Sequence, residues 1–226
     1  MAAQPTEVGA KMQVRVNALE TPWAVEDLAA VPVGVAIRLT KTGAPADVSA
    51  ALERAGGSHP VHALLETAAG IEGAAEIARH PDVCSLALGE ADLRAELGAT
   101  DKQAMNWLRV RVVVAARAAG LPAPMMSAYP HVSDLDGLAA SCAAGRALGM
   151  HGRTAIHPRQ LPVIAAAFDP TEDELRWAVD VLAALGTPAT GVAVLPDGAM
   201  VDEAMARRAR ALLGRAGATR HRPVGG

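Results

Sequence analysis

Aromatic residues are scarce in this sequence, where three Trp, one Tyr and one Phe make up 2% of 226 residues. Surfaces that bind nucleic acid by stacking bases depend on aromatic side chains. An excess of basic charge is missing too, because 21 Lys and Arg stand against 24 Asp and Glu, a formal net charge of −3. The composition therefore predicts no nucleic-acid partner.

Cysteines and long apolar runs are also few. Cys84 and Cys142 lie far apart without a CxxC motif, which indicates neither a zinc site nor a disulfide framework. The N-terminal segment MAAQPTEVGAKMQ lacks the apolar core of a signal peptide, and the valine-rich stretch 110–116 is interrupted by Arg111. That stretch is far shorter than the ~18–20 residues that span a bilayer. We therefore expect a cytoplasmic protein with no membrane partner.

What the sequence does contain is an alternation of short β-branched runs with longer segments rich in Ala, Leu, Arg and Glu. This pattern is typical of βα units around a parallel sheet, either a (β/α) barrel or an open doubly wound sheet. The six predicted strands are Gln13–Asn17, Gly34–Leu39, Val61–Glu66, Ser85–Gly89, Pro124–Tyr129 and Arg153–His157. The predicted helices are Pro45–Ala55, Gly70–Arg79, Met105–Ala119, Leu135–Leu148, Glu172–Leu185 and Glu203–Ala216.

Two carboxylates follow neighbouring predicted strands. Glu66 ends the run HALLE, and Asp92 follows LALG in GEADL. Adjacent strands lie about 4.8 Å apart, so both side chains can face one mouth at the carboxyl ends of the strands. Two carboxylates with several waters suit Mg²⁺. The alternative is that Glu66 caps the helix region Gly70–Arg79 and that Asp92 caps the turn before LRAELG.

Three basic residues lie within or just after predicted strands. Arg15 alternates with Val14 and Val16, so it faces either the inside of a barrel, where it would bind a carboxylate or an enolate oxygen, or an exposed edge. Lys41 is a Schiff-base candidate only if it is desolvated. His157 suits acid–base chemistry, or a hydrogen bond within its loop.

Six motifs together resemble the citrate lyase β-subunit-like (citryl-CoA lyase) family of the HpcH/HpaI aldolase superfamily. They are VRVN, ALLETAAGIEGAAEIA, LALGEADLRAELG, RVRVVVAARAAGLPAP, GRALGMHGRTAIHPRQ and DGAMVDEAMARRARALL. The resemblance covers residues 13–217. It implies a (β/α)8 TIM-barrel-like fold and a Mg²⁺-dependent carbon–carbon lyase acting on a 3-hydroxyacyl-CoA thioester such as citryl-CoA or malyl-CoA.

The same resemblance implies roles for four residues. Glu66 and Asp92 match the family's metal carboxylates, and Glu66 is also expected to bind the substrate. Arg15 matches the substrate-binding arginine and is one predicted catalytic residue. Asp202, in MVD, matches an aspartate that reaches the active site of a neighbouring subunit in some members. Asp202 is therefore the second predicted catalytic residue. A homo-oligomer follows from this, and the family suggests a trimer.

The sequence departs from the family pattern in three places. Its six strands correspond to the family's third to eighth, so we expect an incomplete barrel without the first two βα units, in residues 1–185, followed by a C-terminal helical extension in 186–226. The usual Leu-Pro-Lys reads Leu39-Thr40-Lys41, and Met125-Met126 replaces residues that are usually polar. Exposed parallel edges are a liability that proteins normally cover or pair.

Three functions remain open at this point. The first is an active acyl-CoA lyase with a 2-oxo or hydroxy acid as its other substrate. The second is a non-catalytic homologue that acts as a structural or assembly subunit. The third, which GEADL and MVD disfavour, is a metal-dependent aldolase acting on free oxo acids.

Overall fold

The computed structural model describes residues 12–186 and 191–220. Contacts group these residues into two compact units, one that ends at Phe168 and one that begins at Asp169. The second unit thus includes the helix Glu172–Leu185, whereas the domain boundary predicted from the sequence falls after that helix, between residues 185 and 186. The assignment of functional domains remains a prediction.

The first unit is built on a curled six-stranded sheet in which every neighbouring pair is parallel. Its strands follow one another in chain order, without the reversal of order that defines a doubly wound sheet. This decides between the two architectures left open by the sequence and confirms the barrel-like α/β fold. The strands are β1 (Gln13–Val16), β2 (Ala36–Leu39), β3 (Val61–Leu65), β4 (Val83–Leu88), β5 (Met125–Met126) and β6 (Gly152–Arg153).

Helices follow the strands of this unit. They are α1 (Ala24–Ala29), α2 (Pro45–Ala55), α3 (Ala68–Glu72), α4 (Ala74–Ala78), α5 (Glu90–Leu97), α6 (Lys102–Ala118), α7 (Leu135–Ala147) and α8 (Gln160–Phe168). The single predicted helix Gly70–Arg79 is two short helices, α3 and α4. They meet at Gly73, where a Cβ would lie 2.9 Å from the backbone oxygen of Gly43. Helices α1, α5 and α8 were not predicted.

Alternation along β3 separates the core from the inner face of the curled sheet. Val61, Ala63 and Leu65 are fully buried within the main hydrophobic cluster, which also contains α4 and α6 side chains. Burial of each large aliphatic side chain stabilises the fold by about 1.5–3 kcal/mol. The intervening position Leu64 lines a cavity instead. The inner face therefore carries the side chains available for a site.

The second unit contains α9 (Glu172–Leu185), β7 (Ala193–Val194), β8 (Met200–Val201) and α10 (Glu203–Arg220). The two strands pair antiparallel. Buried residues of α9 and α10 form a hydrophobic cluster that includes Val181 and Leu212. Across the described ranges of both units, no helix is long and apolar enough to cross a membrane.

Candidate active site

Glu66 lies directly after β3 and is buried, with 4% of its surface exposed. Its Oε1 accepts a hydrogen bond from the Lys41 backbone N–H at 3.0 Å. Burial raises the pKa of the Glu66 carboxyl, the Lys41 N–H lowers it, and the negative charge of Asp92 raises it further, while Arg15 and Lys41 lower it by their positive charges. Glu66 therefore feels the charge of both other residues that the sequence places in one site.

The alternative role of Glu66, as a helix cap, is wrong. The hydroxyl of Thr67 caps α3 by accepting from the N–H of Gly70 at 3.1 Å. The Glu66 carboxylate instead turns toward the end of β2, where Lys41 adopts a left-handed conformation with φ 49°. The Lys41 N–H thus engages one of the two carboxylate oxygens of Glu66, Oε1.

Asp92 lies in the first turn of α5 and is exposed. Gly89 is the N-terminal cap residue of this helix, and no side chain caps the helix. A Cβ on Gly89 would lie 2.7 Å from Oε2 of Glu66, so only glycine lets the start of α5 approach that carboxylate so closely. The two acids thus come together because β3 and β4 are neighbours and because Gly89 joins β4 to α5.

A cavity of about 570 Å³ opens beside these residues on the inner face of the sheet. Arg15 and Asp92 both line it, so the inward orientation of Arg15 is the correct alternative. Arg15 is exposed, and within the described ranges its guanidinium has no ion-pair or hydrogen-bond partner. The charged residues lining the cavity are Arg15, Arg38, Arg94, Arg109, Arg153, Glu90 and Asp92. Positive charge therefore exceeds negative charge in this lining.

One pair of these charges is neutralised internally. The Arg109 Nε donates to Glu90 Oε1 at 2.9 Å, and its Nη2 donates to Glu90 Oε2 at 2.6 Å. Both side chains are nearly buried, with 12% and 9% exposed. This two-point contact holds the start of α5 on α6 and so fixes the turn that carries Asp92.

Arg153 borders the other side of the cavity and is buried. Its guanidinium donates to the Ser141 hydroxyl at 2.8 Å and to the Ser127 carbonyl at 3.2 Å. It also lies over the ring of Tyr129, whose hydroxyl donates to Asp134 at 2.6 Å. Arg153 therefore ties β6 to β5 and α7.

The remaining candidates from the sequence lie elsewhere or take structural roles. Lys41 is exposed, which disfavours a desolvated Schiff-base lysine. His157 is exposed and its Nδ1 accepts from the Arg159 N–H at 3.1 Å, the loop contact given as its alternative. Met126 is buried in the cluster with Leu138, so its apolar character serves packing.

Asp202 belongs to the second unit, immediately before α10. Its Oδ1 accepts from the backbone N–H groups of Ala204 at 2.9 Å and Met205 at 3.2 Å. This is the geometry of a helix N-cap. Its predicted catalytic role in a neighbouring subunit stays a prediction.

Sequence reasoning missed Arg38, Arg153 and the Glu90–Arg109 pair. The sequence did contain a signal for Arg38, because it lies between the apolar residues Ile37 and Leu39 and side chains alternate between the two faces of a strand. In the structure Ile37 and Leu39 are fully buried, and Arg38 lies on the opposite face. Arg153 and the ion pair had none, because their positions depend on contacts between distant elements.

The donor set fits Mg²⁺. No cluster of three or more His, Cys, Asp or Glu side chains suited to a metal occurs in the part of the chain that the structure describes. Two carboxylates do converge, one buried and one exposed at a cavity, and hard oxygen ligands with open positions are what Mg²⁺ prefers.

Known proteins share this arrangement of strands and motifs. Residues 2–158 match the HpcH/HpaI aldolase/citrate lyase family. The chain belongs to this family.

Individual relatives extend the family match to most of the chain. It is 37% identical over 211 residues to a (3S)-malyl-CoA thioesterase of Cereibacter sphaeroides, covering 90% of this chain and 73% of that one. It is 34% identical over 223 residues to the citrate lyase subunit beta of Escherichia coli K12, with the same coverage of each chain. The CitE protein of Mycobacterium tuberculosis, solved with magnesium, acetoacetate and coenzyme A, superimposes with a TM-score of 0.77. That structure is 30% identical and covers 94% of this chain and 80% of its own.

Proposed function

We propose that this protein is a Mg²⁺-dependent carbon–carbon lyase that cleaves or forms a 3-hydroxyacyl-CoA thioester of the citryl-CoA or malyl-CoA type. The observation that carries the proposal is that Asp92 and Arg15 line one cavity, with the buried carboxylate of Glu66 packed against Gly89 of the same lining. The magnesium and coenzyme A bound to the related CitE protein support the same chemistry.

Each residue has a distinct part in this proposal. Glu66 and Asp92 would hold Mg²⁺, which when bound polarises the oxygen atoms of the hydroxy or oxo acid. On cleavage the carbon–carbon bond breaks, the hydroxyl loses its proton as it becomes the carbonyl of a 2-oxo acid, and the electron pair moves onto the thioester as an enolate. Arg15 would offset negative charge on the substrate with its planar guanidinium.

Asp202 enters the proposal as a residue supplied by a second subunit of a homo-oligomer. In the present chain its carboxylate caps α10, with one oxygen engaged by backbone N–H groups. Mixing Asp202→Asn subunits with Arg15→Gln subunits tests this role, because shared sites regain activity in mixed oligomers and self-contained sites do not. The cytoplasmic location remains a prediction of the sequence.

The direct test is incubation of the purified chain with Mg²⁺ and either citryl-CoA or malyl-CoA, with products identified by mass spectrometry. We expect acetyl-CoA together with oxaloacetate or glyoxylate, and loss of both on chelation of the metal. Absence of turnover with every thioester, with metal binding intact, would favour the non-catalytic assembly subunit instead.

A second candidate function is thioester hydrolysis, which is favoured by the 37% identity to a protein named (3S)-malyl-CoA thioesterase. The products separate the two activities. Hydrolysis of malyl-CoA releases malate and free coenzyme A, whereas carbon–carbon cleavage releases glyoxylate and acetyl-CoA. Trapping glyoxylate with phenylhydrazine while titrating free thiol measures both in one reaction.

A further inference from the structure

Two arginines lie side by side on the inner face of the sheet. Arg15 of β1 and Arg38 of β2 are paired in the parallel register, and Arg38 is paired in turn with His62 of β3. Side chains at one register position of neighbouring strands share a face, and both arginines line the cavity. The sheet therefore presents two guanidinium groups from adjacent strands to the same space.

Neither arginine has a carboxylate partner among the described residues. The Arg38 Nε donates to the side-chain oxygen of Gln13 at 3.1 Å, and its two terminal nitrogens make no hydrogen bond to any described residue. Arg38 is half-buried. Burial lowers the pKa of its guanidinium and the charge of Arg15 lowers it further. Two uncompensated like charges held together in a cavity are costly unless an anion binds between them.

The other arginines of the cavity are already engaged or lie apart from this pair. Arg109 is neutralised by Glu90, and Arg153 donates to Ser141 and Ser127. Arg94 belongs to α5, above the strand ends. Among the described residues that line the cavity, Arg15 and Arg38 are thus two arginines on adjacent strands without a carboxylate partner.

Arg15, Arg38 and Asp92 line the same cavity. In the strand register Arg38 aligns with His62, four residues before Glu66, so the backbone positions of Arg38 and Glu66 differ by about 13 Å along the strand direction, whereas the charge of Arg15 already acts on the Glu66 carboxyl. A bound acid can face Glu66 and Asp92 with one end and the arginine pair with the other. A 2-oxo acid with one carboxylate neutralises one arginine, whereas a second carboxylate is needed to neutralise both.

We propose that Arg38, beside Arg15, is a specificity-determining residue that selects a 2-oxo dicarboxylate over a 2-oxo monocarboxylate as the acid released from the thioester. This rests on the proposed function for the reaction itself. The anion subsite formed by the two arginines is a property of the protein whether or not cleavage occurs.

The experiment measures binding before turnover. Oxaloacetate and pyruvate differ by one carboxylate, and their affinities are determined by calorimetry with Mg²⁺ present, for the wild type, Arg38→Gln and Arg117→Gln. Arg117 is an exposed arginine of α6 outside the cavity, so its variant makes the same change of charge. We expect the wild type to bind oxaloacetate at least tenfold more tightly than pyruvate. In Arg38→Gln the affinity for oxaloacetate should fall about tenfold, while the affinity for pyruvate changes by less than twofold. Arg117→Gln should change neither affinity.

Several results would overturn the assignment. Equal losses for both acids, or no loss for oxaloacetate, would remove Arg38 as a selector. The pair would bind a phosphate of coenzyme A instead if Arg38→Gln weakened the binding of adenosine 3′,5′-bisphosphate and left the binding of oxaloacetate unchanged. Arg38→Lys keeps the charge and guards against a folding defect, since it should retain part of the preference while circular dichroism reports the fold.

Failure of the proposed function is distinguishable from failure of this inference. Malonate and acetate, measured without metal, test the anion subsite alone. If no thioester is cleaved but malonate binding still depends on Arg38, the lyase proposal fails and the subsite stands. If thioesters are cleaved with a dicarboxylate preference that Arg38→Gln leaves unchanged, the inference fails by itself.

Discussion

Gly89 and Glu66 approach each other so closely that a Cβ on Gly89 would lie 2.7 Å from the Glu66 Oε2. Gly89→Ala should therefore push the Glu66 carboxylate from its position and weaken Mg²⁺ binding at least tenfold, as measured by calorimetry. Gly214→Ala is the matched control, because nothing lies within 4 Å of a Cβ there. Unchanged metal affinity in Gly89→Ala would contradict the assignment of Glu66 as a ligand.

Glu66→Gln should separate metal binding from stability. The amide oxygen can still accept from the Lys41 N–H, but the buried negative charge is removed. Folding raises the pKa of Glu66, so the folded protein holds this proton more tightly than the unfolded chain does. The free energy of unfolding therefore falls as pH rises from the unfolded-state pKa to the folded-state pKa, and it stays lowered at higher pH.

With no metal present, Glu66→Gln should consequently be more stable than the wild type at neutral pH. This difference in stability should shrink as pH falls to the unfolded-state pKa of a glutamate, near 4.3. Urea unfolding at several pH values measures this, and calorimetry measures the accompanying loss of Mg²⁺ affinity. Glu53→Gln, an exposed residue of α2, controls for the change in charge. A destabilised Glu66→Gln protein at neutral pH would show that the carboxylate itself holds the fold.

Breaking the ion pair between Glu90 and Arg109 should lower the stability of the protein strongly. Arg109→Met leaves Glu90 as a nearly buried, unpaired carboxylate, and losses of about 3–5 kcal/mol are typical when one partner of such a pair is removed. The double variant Glu90→Met with Arg109→Met should recover most of this loss. Arg176→Gln, from an exposed ion pair with Asp173, should cost about 0.5 kcal/mol or less. Thermal unfolding checks all three, and a mild Arg109→Met would mean that α5 does not depend on this contact.

Asp134 gives the protein a pH-dependent contact beside the cavity. The Tyr129 hydroxyl and the Gly137 N–H both donate to its carboxylate and lower its pKa below the ordinary value of 3.8. An acid with a lowered pKa contributes stability above its unfolded-state pKa and loses it as pH falls through its folded-state pKa. Asp134→Asn should therefore be less stable than the wild type at pH 7, with a difference that shrinks as pH falls below the ordinary value of 3.8 and disappears below the lowered folded-state pKa. A difference independent of pH would assign the effect to hydrogen bonding alone.

Local signals explain which elements the sequence predicted well. Helix α2 begins at Pro45 in the first helical position and ends before Gly56, which has a φ of 70°, and its bounds match the prediction. Helix α9 begins after the reciprocal cap of Thr171 and Glu174, and it also matches. In both cases the residues that start and stop the helix act within a few positions of it.

Other elements depend on contacts that a linear reading does not contain. The predicted strand Arg153–His157 overlaps the observed strand Gly152–Arg153 only at Arg153, because the chain soon enters a loop in which the Gln160 side chain accepts from the Ile156 N–H. Helix α5 was missed because the residues after the predicted strand Ser85–Gly89 were interpreted as a turn, with Asp92 either a metal carboxylate or the cap of that turn. Its position depends on Arg109, which lies 19 residues away.

The sequence by itself determined the parallel α/β pattern, the family, and the placement of Glu66 at a strand end, because apolar periodicity and short motifs are local properties of the chain. Only the tertiary structure decided that Gly89 touches Glu66, that Arg15 faces the cavity and that Arg38 stands beside it. Strand register and sheet curvature fix those relationships, and both arise from packing between residues that are distant along the chain.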